Sequence, residues 1–167
     1  ACTTVIERGG SVLIPAFSLG RTQEMLAMAH DMRELGTIPD VEIYTAGFGE
    51  VLSQVYDRTA SRTNRMAPDL RLRELDIRPL PRDVTRGPHL KRPSIIVTSS
   101  GMMAEHTLSF RMAEKMLPYD HHGIFFVGYI DPAMPGHRVM SARRGLIIRM
   151  TDAGRAIPVA CRIERFH

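Results

Sequence analysis

Two short segments of the sequence combine hydroxyl side chains with a glycine directly after an apolar run. They span residues 15–21 (PAFSLGR) and 98–102 (TSSGM). A small-residue turn that leads from a strand towards a helix exposes N–H groups and hydroxyls, which bind anions such as phosphate. A cation at a helix start is unfavourable unless a negative group lies opposite. Ordinary packing and capping would explain the same residues equally well. The predicted phosphate contacts are Ser18, Arg21, Ser99, Ser100 and Gly101.

Other catalytic motifs are absent from the sequence. It has no GxxxxGK[ST] phosphate loop, no GxGxxG dinucleotide fingerprint and no GxSxG nucleophile elbow. Its seven histidines show no HxH, HxHxD or HExxH spacing, and Cys2 and Cys161 lie near opposite ends of the chain. The pair His121 and His122 is predicted to lie in a surface loop. We therefore expect neither a self-contained metal site nor a complete hydrolytic triad.

An alternation of strands and helices must position the two segments. Four apolar runs are typical of strands buried in a parallel sheet, and they cover residues 11–14, 41–44, 94–98 and 123–127. Apolar residues at helical spacing cover residues 21–35, 48–56 and 108–117. Two further β-like stretches close the chain at residues 146–150 and 157–163. The pattern predicts an α/β fold with a mostly parallel sheet and helices on both faces.

Composition limits the classes of function. A chain of 167 residues with 44% hydrophobic and 24% charged residues is typical of one soluble domain, and no apolar run approaches the ~18 residues of a membrane span. The net charge is +4, and 20 of the 22 basic residues are arginine. Arginine suits phosphate, so RNA or DNA is a permitted partner, although genome base composition would give the same bias. The two cysteines and the lack of a signal peptide predict a cytoplasmic location.

Residues 64–93 interrupt the α/β pattern. They contain five prolines, and eight basic residues stand against four acidic ones. We predict a basic, proline-rich excursion on the surface, which is the best electrostatic candidate for a polyanion. A solvated loop without a ligand is the alternative.

Several segments occur in the order that is found in one known family. They are GGSVLIPAFSLGRTQEML, PSIIVTSSGMM, IFFVGY followed by PGHRVM, and IPVACRIERFH. Together they resemble the β-CASP domain of metallo-β-lactamase-fold nucleases, which include the cleavage and polyadenylation endonuclease and the RNase J type. The likeness covers nearly all of residues 1–167. It implies a Rossmann-like domain that closes over a hydrolase domain with two zinc ions and holds RNA or DNA in the cleft between them.

The resemblance also implies roles for particular residues. The two turns singled out above would face the cleft. The family's catalytic histidine corresponds to His137, with Arg138 as a competing match. The zinc ligands belong to the hydrolase domain, so no metal ligand is implied here, and residues 146–167 would lead back to that domain. The chain departs from the family where Glu105 and His106 replace glycines and where residues 45–47 replace an acidic turn.

These observations lead to one main hypothesis and two alternatives. We predict the nucleic-acid-positioning part of a zinc-dependent RNA- or DNA-processing hydrolase, such as one acting in mRNA 3′-end processing. As an isolated chain it is expected to be an incomplete and inactive fragment. The first alternative is a free-standing α/β module that binds a phosphate-bearing ligand or a protein. The second is a chain that serves mainly as a homodimerisation or docking surface.

Overall fold

The computed structural model describes residues 1–65, 67–80, 83–84 and 88–166. These residues form eight strands and five α-helices. The strands are β1 (Val12–Pro15), β2 (Glu42–Ala46), β3 (Ile77–Pro79), β4 (Ser94–Thr98), β5 (Gly123–Phe126), β6 (Ile147–Ile148), β7 (Ile157–Pro158) and β8 (Arg162–Arg165). The α-helices are α1 (Cys2–Glu7), α2 (Arg21–Glu34), α3 (Phe48–Thr59), α4 (Leu108–Met116) and α5 (Pro135–Met140). Short 3-10 turns lie at Ala60–Arg62, Leu72–Glu74 and Pro88–Leu90.

Six of the strands form one parallel sheet in the order β3-β2-β4-β1-β5-β8. The strands β6 and β7 pair antiparallel with each other outside this sheet. Neighbours in the sheet are mostly distant in sequence, since β1 lies between β4 and β5. Because all six strands are parallel, their carboxyl ends lie at one edge of the sheet. The predicted α/β fold class is confirmed.

The sheet is covered on both faces. On one face, Leu13, Ile96 and Ile124 pack with apolar residues of α4, α5 and the β6–β7 pair. On the other face, Ile14, Ile95 and neighbouring strand residues pack with α1 and α2. Central strands buried on both sides must be apolar at every position, which explains the continuous apolar runs in the sequence.

The segment 64–93 is more integrated into the fold than the sequence predicts. Within its described part, β3 pairs with β2 and extends the sheet, while Leu72, Leu75 and Val84 are buried. Leucines at this local spacing anchor the chain, so the segment is only partly a surface excursion. Pro81, Arg82 and Arg86, which the sequence analysis assigned to it, lie outside the described residues.

The end of the chain also differs from the sequence prediction. The β-like stretch 157–163 is divided, because the N–H groups of Ala160 and Cys161 both donate to the carbonyl of Leu117, at 2.8 and 3.1 Å. Before this point β7 pairs with β6, and after it β8 joins the main sheet beside β5. Among the residues that the structure describes, no helix is long and apolar enough to cross a membrane.

Candidate nucleic-acid interface

The two turns predicted to bind phosphate lie side by side at the carboxyl edge of the sheet. Their strands β1 and β4 are paired from Val12↔Ile95 to Pro15↔Thr98. From there the chain goes to opposite faces, since α2 packs on one side of the sheet and α4 on the other. Adjacent parallel strands whose connections diverge in this way leave a crevice at their carboxyl ends, where ligands of α/β proteins bind.

The turns are in direct contact. The Ala16 N–H donates to the Thr98 carbonyl at 3.0 Å. A Cβ atom added at Gly101 would lie 2.8 Å from the Phe17 nitrogen, so the close approach requires glycine. Arg21 and Gly101 line one hollow at this edge, with the half-exposed rings of Phe17 and Tyr129. The hydroxyl-bearing residues of the two turns, Ser18, Ser99 and Ser100, are half-buried and lie outside the lining of this hollow.

The start of α2 is occupied by internal bonds. The N–H groups of Arg21, Thr22 and Glu24 all donate to carbonyls of residues 17–20, at 3.0 Å each. The Arg21 guanidinium binds the Glu24 carboxylate at 2.8 Å and is 41% exposed. The negative group expected opposite Arg21 is therefore supplied in part by Glu24. An anion at this turn would be held by the Arg21 side chain rather than by these helix N–H groups.

The second turn is not the start of a helix. The first residue of α4 is Leu108, where Thr107 Oγ1 accepts from the Phe110 N–H at 3.4 Å, so nine residues separate β4 from the helix. The Ser100 carbonyl accepts from the Ser109 hydroxyl at 2.7 Å, which ties the turn to α4. The Ser99–Ser100 peptide is cis. Within the turn, Ser100 Oγ accepts from the Met102 N–H at 3.3 Å.

A third turn, after β2, contacts the same region. Gly47 has a φ of +81°, and a Cβ atom there would lie 2.6 Å from Ser99 Oγ. Its left-handed backbone and its close neighbour both favour glycine. In the sequence, residues 45–47 stand out only as a departure from the family pattern. The signal for this contact was present as a glycine directly after a strand.

His137 lies at the start of α5, next to the second turn. The neighbouring Gly136 donates its N–H to the Met102 carbonyl at 3.0 Å, and a Cβ atom at Gly136 would lie 2.7 Å from the same oxygen. His137 itself is half-buried. The competing residue Arg138 is exposed and pairs with Asp152 at 2.6 Å. Both residues lie near the candidate interface, and their assignment to the family's histidine stays a prediction.

A second group of buried polar side chains lies at the opposite, amino edge of the sheet. The prediction of a surface position for His122 is wrong, because the side chain is buried and its Nδ1 accepts from the Ser11 N–H at 3.0 Å. Burial, with a smaller effect of His121, lowers the pKa of His122 to about 4. The Ser11 and Ser94 hydroxyls donate to the carbonyl of the buried His89, at 2.8 and 2.9 Å. Burial also lowers the pKa of His89.

The described residues do not fit a zinc site. Within residues 1–65, 67–80, 83–84 and 88–166, no group of three or more His, Cys, Asp or Glu side chains could hold a metal ion. Neither cysteine is activated, because burial raises the pKa of Cys2 and raises that of Cys161 to about 12. The chemistry available at the interface is therefore hydrogen bonding by hydroxyls, charge from Arg21 and contact with aromatic rings.

Comparison with known proteins decides the family. Residues 22–139, more than half of the chain, match the Beta-Casp domain. The chain belongs to the β-CASP domain family. The match includes the second turn and His137, while Ser18 and Arg21 lie just before it.

This chain is similar to parts of longer proteins. Transcription termination factor FttA of Methanothermobacter thermautotrophicus is 25% identical over 163 residues, which are 89% of this chain and 24% of that protein. An RNase J-like protein of Methanocaldococcus jannaschii is 36% identical over 102 residues, 59% of this chain and 24% of that protein. Endoribonuclease YSH1 of Kluyveromyces lactis is 27% identical over 139 residues, 75% of this chain and 18% of that protein. The chain thus spans about a quarter or less of these relatives.

Proposed function

We propose that this β-CASP domain positions RNA, or alternatively DNA, for a zinc-dependent phosphodiester hydrolase whose metal ligands lie in another part of the polypeptide. The observation that carries the proposal is the hollow at the carboxyl edge, where Arg21 of one turn meets Gly101 of the other. The relatives named as an RNase J-like protein and an endoribonuclease support RNA as the substrate. A cytoplasmic location is part of the same proposal.

Arg21 is the main electrostatic contact in this proposal. Its partner Glu24 is half-exposed, and a surface ion pair of this kind contributes only about 0–1 kcal/mol. A phosphate accepts two parallel N–H bonds from a guanidinium and carries more charge, so it can replace the carboxylate. The hydroxyls of Ser18, Ser99 and Ser100 lie outside the hollow, so they are assigned to neighbouring phosphates of the same strand.

Two aromatic rings at the hollow support a nucleic acid rather than free phosphate. Phe17 is 40% exposed and Tyr129 is 63% exposed, and both line the hollow with Arg21. Exposed rings beside a cation provide a surface on which bases stack. The sequence shows only ten aromatic residues and did not single out these two. We assign the phosphate to Arg21 and a base to Tyr129.

The zinc ions are assigned to residues outside this chain, because its described side chains form no suitable cluster. The chain is therefore given binding and positioning roles only. His137 is the candidate for proton transfer, since it is half-buried and follows the Gly136 contact with the second turn. A homodimer of the domain is not required for any of these roles.

Two experiments test the proposal. The purified 167-residue chain should bind fluorescent single-stranded RNA with an affinity that falls as salt rises, and it should not cleave RNA when zinc is added. Zinc-dependent cleavage by this chain would contradict its incompleteness. In the full-length protein, Arg21→Gln should raise KM for RNA about tenfold with a smaller effect on kcat. Arg58→Gln, at an exposed arginine of α3, is the matched control and should leave both constants unchanged.

A further inference from the structure

The positive charge of the chain is concentrated in two segments, residues 64–93 and residues 135–167. Residues 135–167 contain seven arginines and two acidic residues, and segment 64–93 contains eight basic and four acidic residues. The remaining 104 residues contain 7 basic and 12 acidic residues. Part of segment 64–93 lies outside the described residues, whereas every arginine of residues 135–167 is described.

The structure fixes these arginines around the β6–β7 pair. Buried Val139, Met150 and Ile157 anchor α5 and the β6–β7 pair on the sheet, in the same core cluster as Leu13. The arginines between these anchors are exposed. We call this surface the arginine flank, defined by Arg138, Arg143, Arg144, Arg149 and Arg155, together with Arg8 from the end of α1.

The acidic partners on the arginine flank do not neutralise it. Asp120 is shared by Arg8 and Arg144, at 3.5 Å from each. Arg138 pairs with Asp152, and Arg155 pairs with Glu114 at 3.5 Å. The six arginines thus face three carboxylates. These are surface pairs of about 0–1 kcal/mol each, which a phosphate can replace.

The arginine flank is continuous with the candidate nucleic-acid interface. It starts at α5, whose Gly136 N–H binds Met102 in the second turn, and it reaches Asp120, which lies just before β5 at the opposite edge. The two ends of the arginine flank, at α5 and at Asp120, are separated by the length of β5, whose four residues span roughly 13 Å at ~3.3 Å per residue. Along the axis of a stacked duplex, the phosphates of one strand recur every ~3.4 Å, and an unstacked single strand is more extended, so no more than about four phosphates span this distance. Tyr119, 54% exposed beside Asp120, offers a ring for stacking.

We infer that the arginine flank is a second nucleic-acid surface, which binds the phosphates of single-stranded RNA on the stretch that leaves the hollow along α5. The inference rests on the proposed function because RNA is taken as the polyanion. It goes beyond that function by assigning contacts on the outer side of the domain. An acidic protein would also be attracted, but it would not account for the continuity of the flank with the hollow.

The test compares a short and a long RNA on the 167-residue chain, by fluorescence anisotropy between 50 and 200 mM salt. A four-nucleotide RNA lies across the Arg21 edge only, whereas a twelve-nucleotide RNA also reaches the arginine flank. The triple variant Arg143→Gln, Arg144→Gln and Arg155→Gln should weaken the long RNA about tenfold or more. It should also lower the slope of log affinity against log salt by about 2, which is ~0.7 for each lost phosphate. Binding of the short RNA should be unchanged.

Two variants serve as controls. Arg58→Gln, Arg62→Gln and Arg73→Gln remove the same charge from exposed residues outside the flank and should change binding of the long RNA less than about twofold. The triple variant Arg143→Lys, Arg144→Lys and Arg155→Lys keeps the charge and should retain most of the binding. Thermal unfolding followed by circular dichroism shows whether each variant is folded.

Four results would overturn the inference. If both glutamine triples weaken the long RNA equally, only net charge matters and the flank is not a specific surface. If polyaspartate displaces the long RNA as well as polyuridine does at equal charge, the surface attracts acidic polymers in general. If Arg21→Gln weakens both RNAs while the flank triple weakens neither, the proposed function stands and the flank fails. If neither RNA binds the wild-type chain, both proposals fail.

Discussion

Serines lie at both edges of the sheet, at the amino ends of β1 and β4 and in the turn after β4, and their surroundings differ. At the amino edge, Ser11 and Ser94 are buried, with their hydroxyls 3.2 Å apart and both bonded to the His89 carbonyl. At the carboxyl edge, Ser99 and Ser100 are half-buried in a turn beside a hollow. The residue types are the same, but only the second pair is reachable by a ligand.

The comparison contrasts hydroxyls that are bonded inside the protein with hydroxyls that stay open to solvent. An unsatisfied buried hydrogen-bonding group costs about 1–3 kcal/mol. Among the described residues, Thr45 Oγ1 and His89 Nδ1 are buried without a hydrogen-bond partner, so saturation is incomplete at both edges. A half-exposed hydroxyl can exchange water for a ligand oxygen at little cost. The histidines show the same contrast in burial, since His122 is buried and accepts a backbone N–H while His137 is half-buried at the candidate interface.

The largest expected difference between the edges concerns glycine. A Cβ atom at Gly10, on the amino edge, would lie 1.6 Å from the His121 carbonyl oxygen, whereas one at Gly101 would lie 2.8 Å from the Phe17 nitrogen. Gly10→Ala should lower the free energy of unfolding by more than about 3 kcal/mol, and Gly101→Ala by about 1–3 kcal/mol. Urea unfolding measures both. Gly128→Ala, which meets no atom within 4 Å, is the control, and a Gly10 variant as stable as that control would contradict the close packing of this edge.

Serine to alanine substitutions sharpen the comparison. Ser94→Ala should cost about 0.5–1.5 kcal/mol of stability, because the buried His89 carbonyl loses one of two donors and keeps the Ser11 hydroxyl. Ser100→Ala should cost less than about 0.5 kcal/mol and should weaken RNA binding instead. Unfolding in urea and RNA anisotropy on both variants separate these effects. Equal losses of stability at the two positions would show that the edges do not differ as proposed.

Acid should destabilise the protein through the amino edge. His122 has a pKa of about 4 in the folded chain, against about 6.5 when unfolded. Between these values the unfolded state binds more protons, so the free energy of unfolding should fall as the pH decreases from about 7 to 4. His122→Asn keeps an acceptor for the Ser11 N–H without titrating, so its stability should depend less on pH. Burial also lowers the pKa of His89, so the His122→Asn variant should keep part of the pH dependence of stability.

Urea unfolding at pH 7, 6 and 5 measures this dependence. His30→Asn, on α2 and outside the network, is the control for loss of an imidazole. A His122→Asn variant with the same pH dependence as the wild type would contradict the role of His122.

The smallest effect on stability is expected at Arg21. Its ion pair with Glu24 is exposed, so Arg21→Gln should change the free energy of unfolding by less than about 1 kcal/mol. The same variant should reduce the salt dependence of RNA binding by about one phosphate contact. Glu24→Gln removes the competing carboxylate and should strengthen RNA binding. Weaker binding by the Glu24 variant would indicate that the pair positions Arg21 rather than competes for it.

The central strands and the long helices could be predicted from sequence because their signals are local. β1, β4 and β5 are buried on both faces, so each is a continuous apolar run. The edge strands β3 and β8 are half-exposed and lack such a run, and each depends on pairing with a strand at least 30 residues away. The short helix α5 is likewise held by its packing against the second turn.

The candidate site was predicted only in part for the same reason. Hydroxyls and a glycine after two apolar runs indicated both turns, and the arrangement of parallel strands placed them at one edge. The contacts of Gly47 and Tyr129 with this region join residues from distant parts of the chain, so they depend on tertiary packing. The pairing of Arg21 with Glu24 is a local i,i+3 contact within α2, and its signal was present in the sequence but was not used.

Amino-acid order alone therefore determined which stretches become buried strands, which turns carry hydroxyls and a glycine after a strand, and which family the chain resembles. All three depend on residue types within a few positions of one another. Tertiary packing decided which polar residues are buried and hydrogen-bonded inside the protein and which remain exposed to solvent, because burial depends on neighbours from distant parts of the chain. His122 is structural because Ser11 lies against it, and the arginines near the C-terminus form one surface because the β6–β7 pair folds onto the sheet.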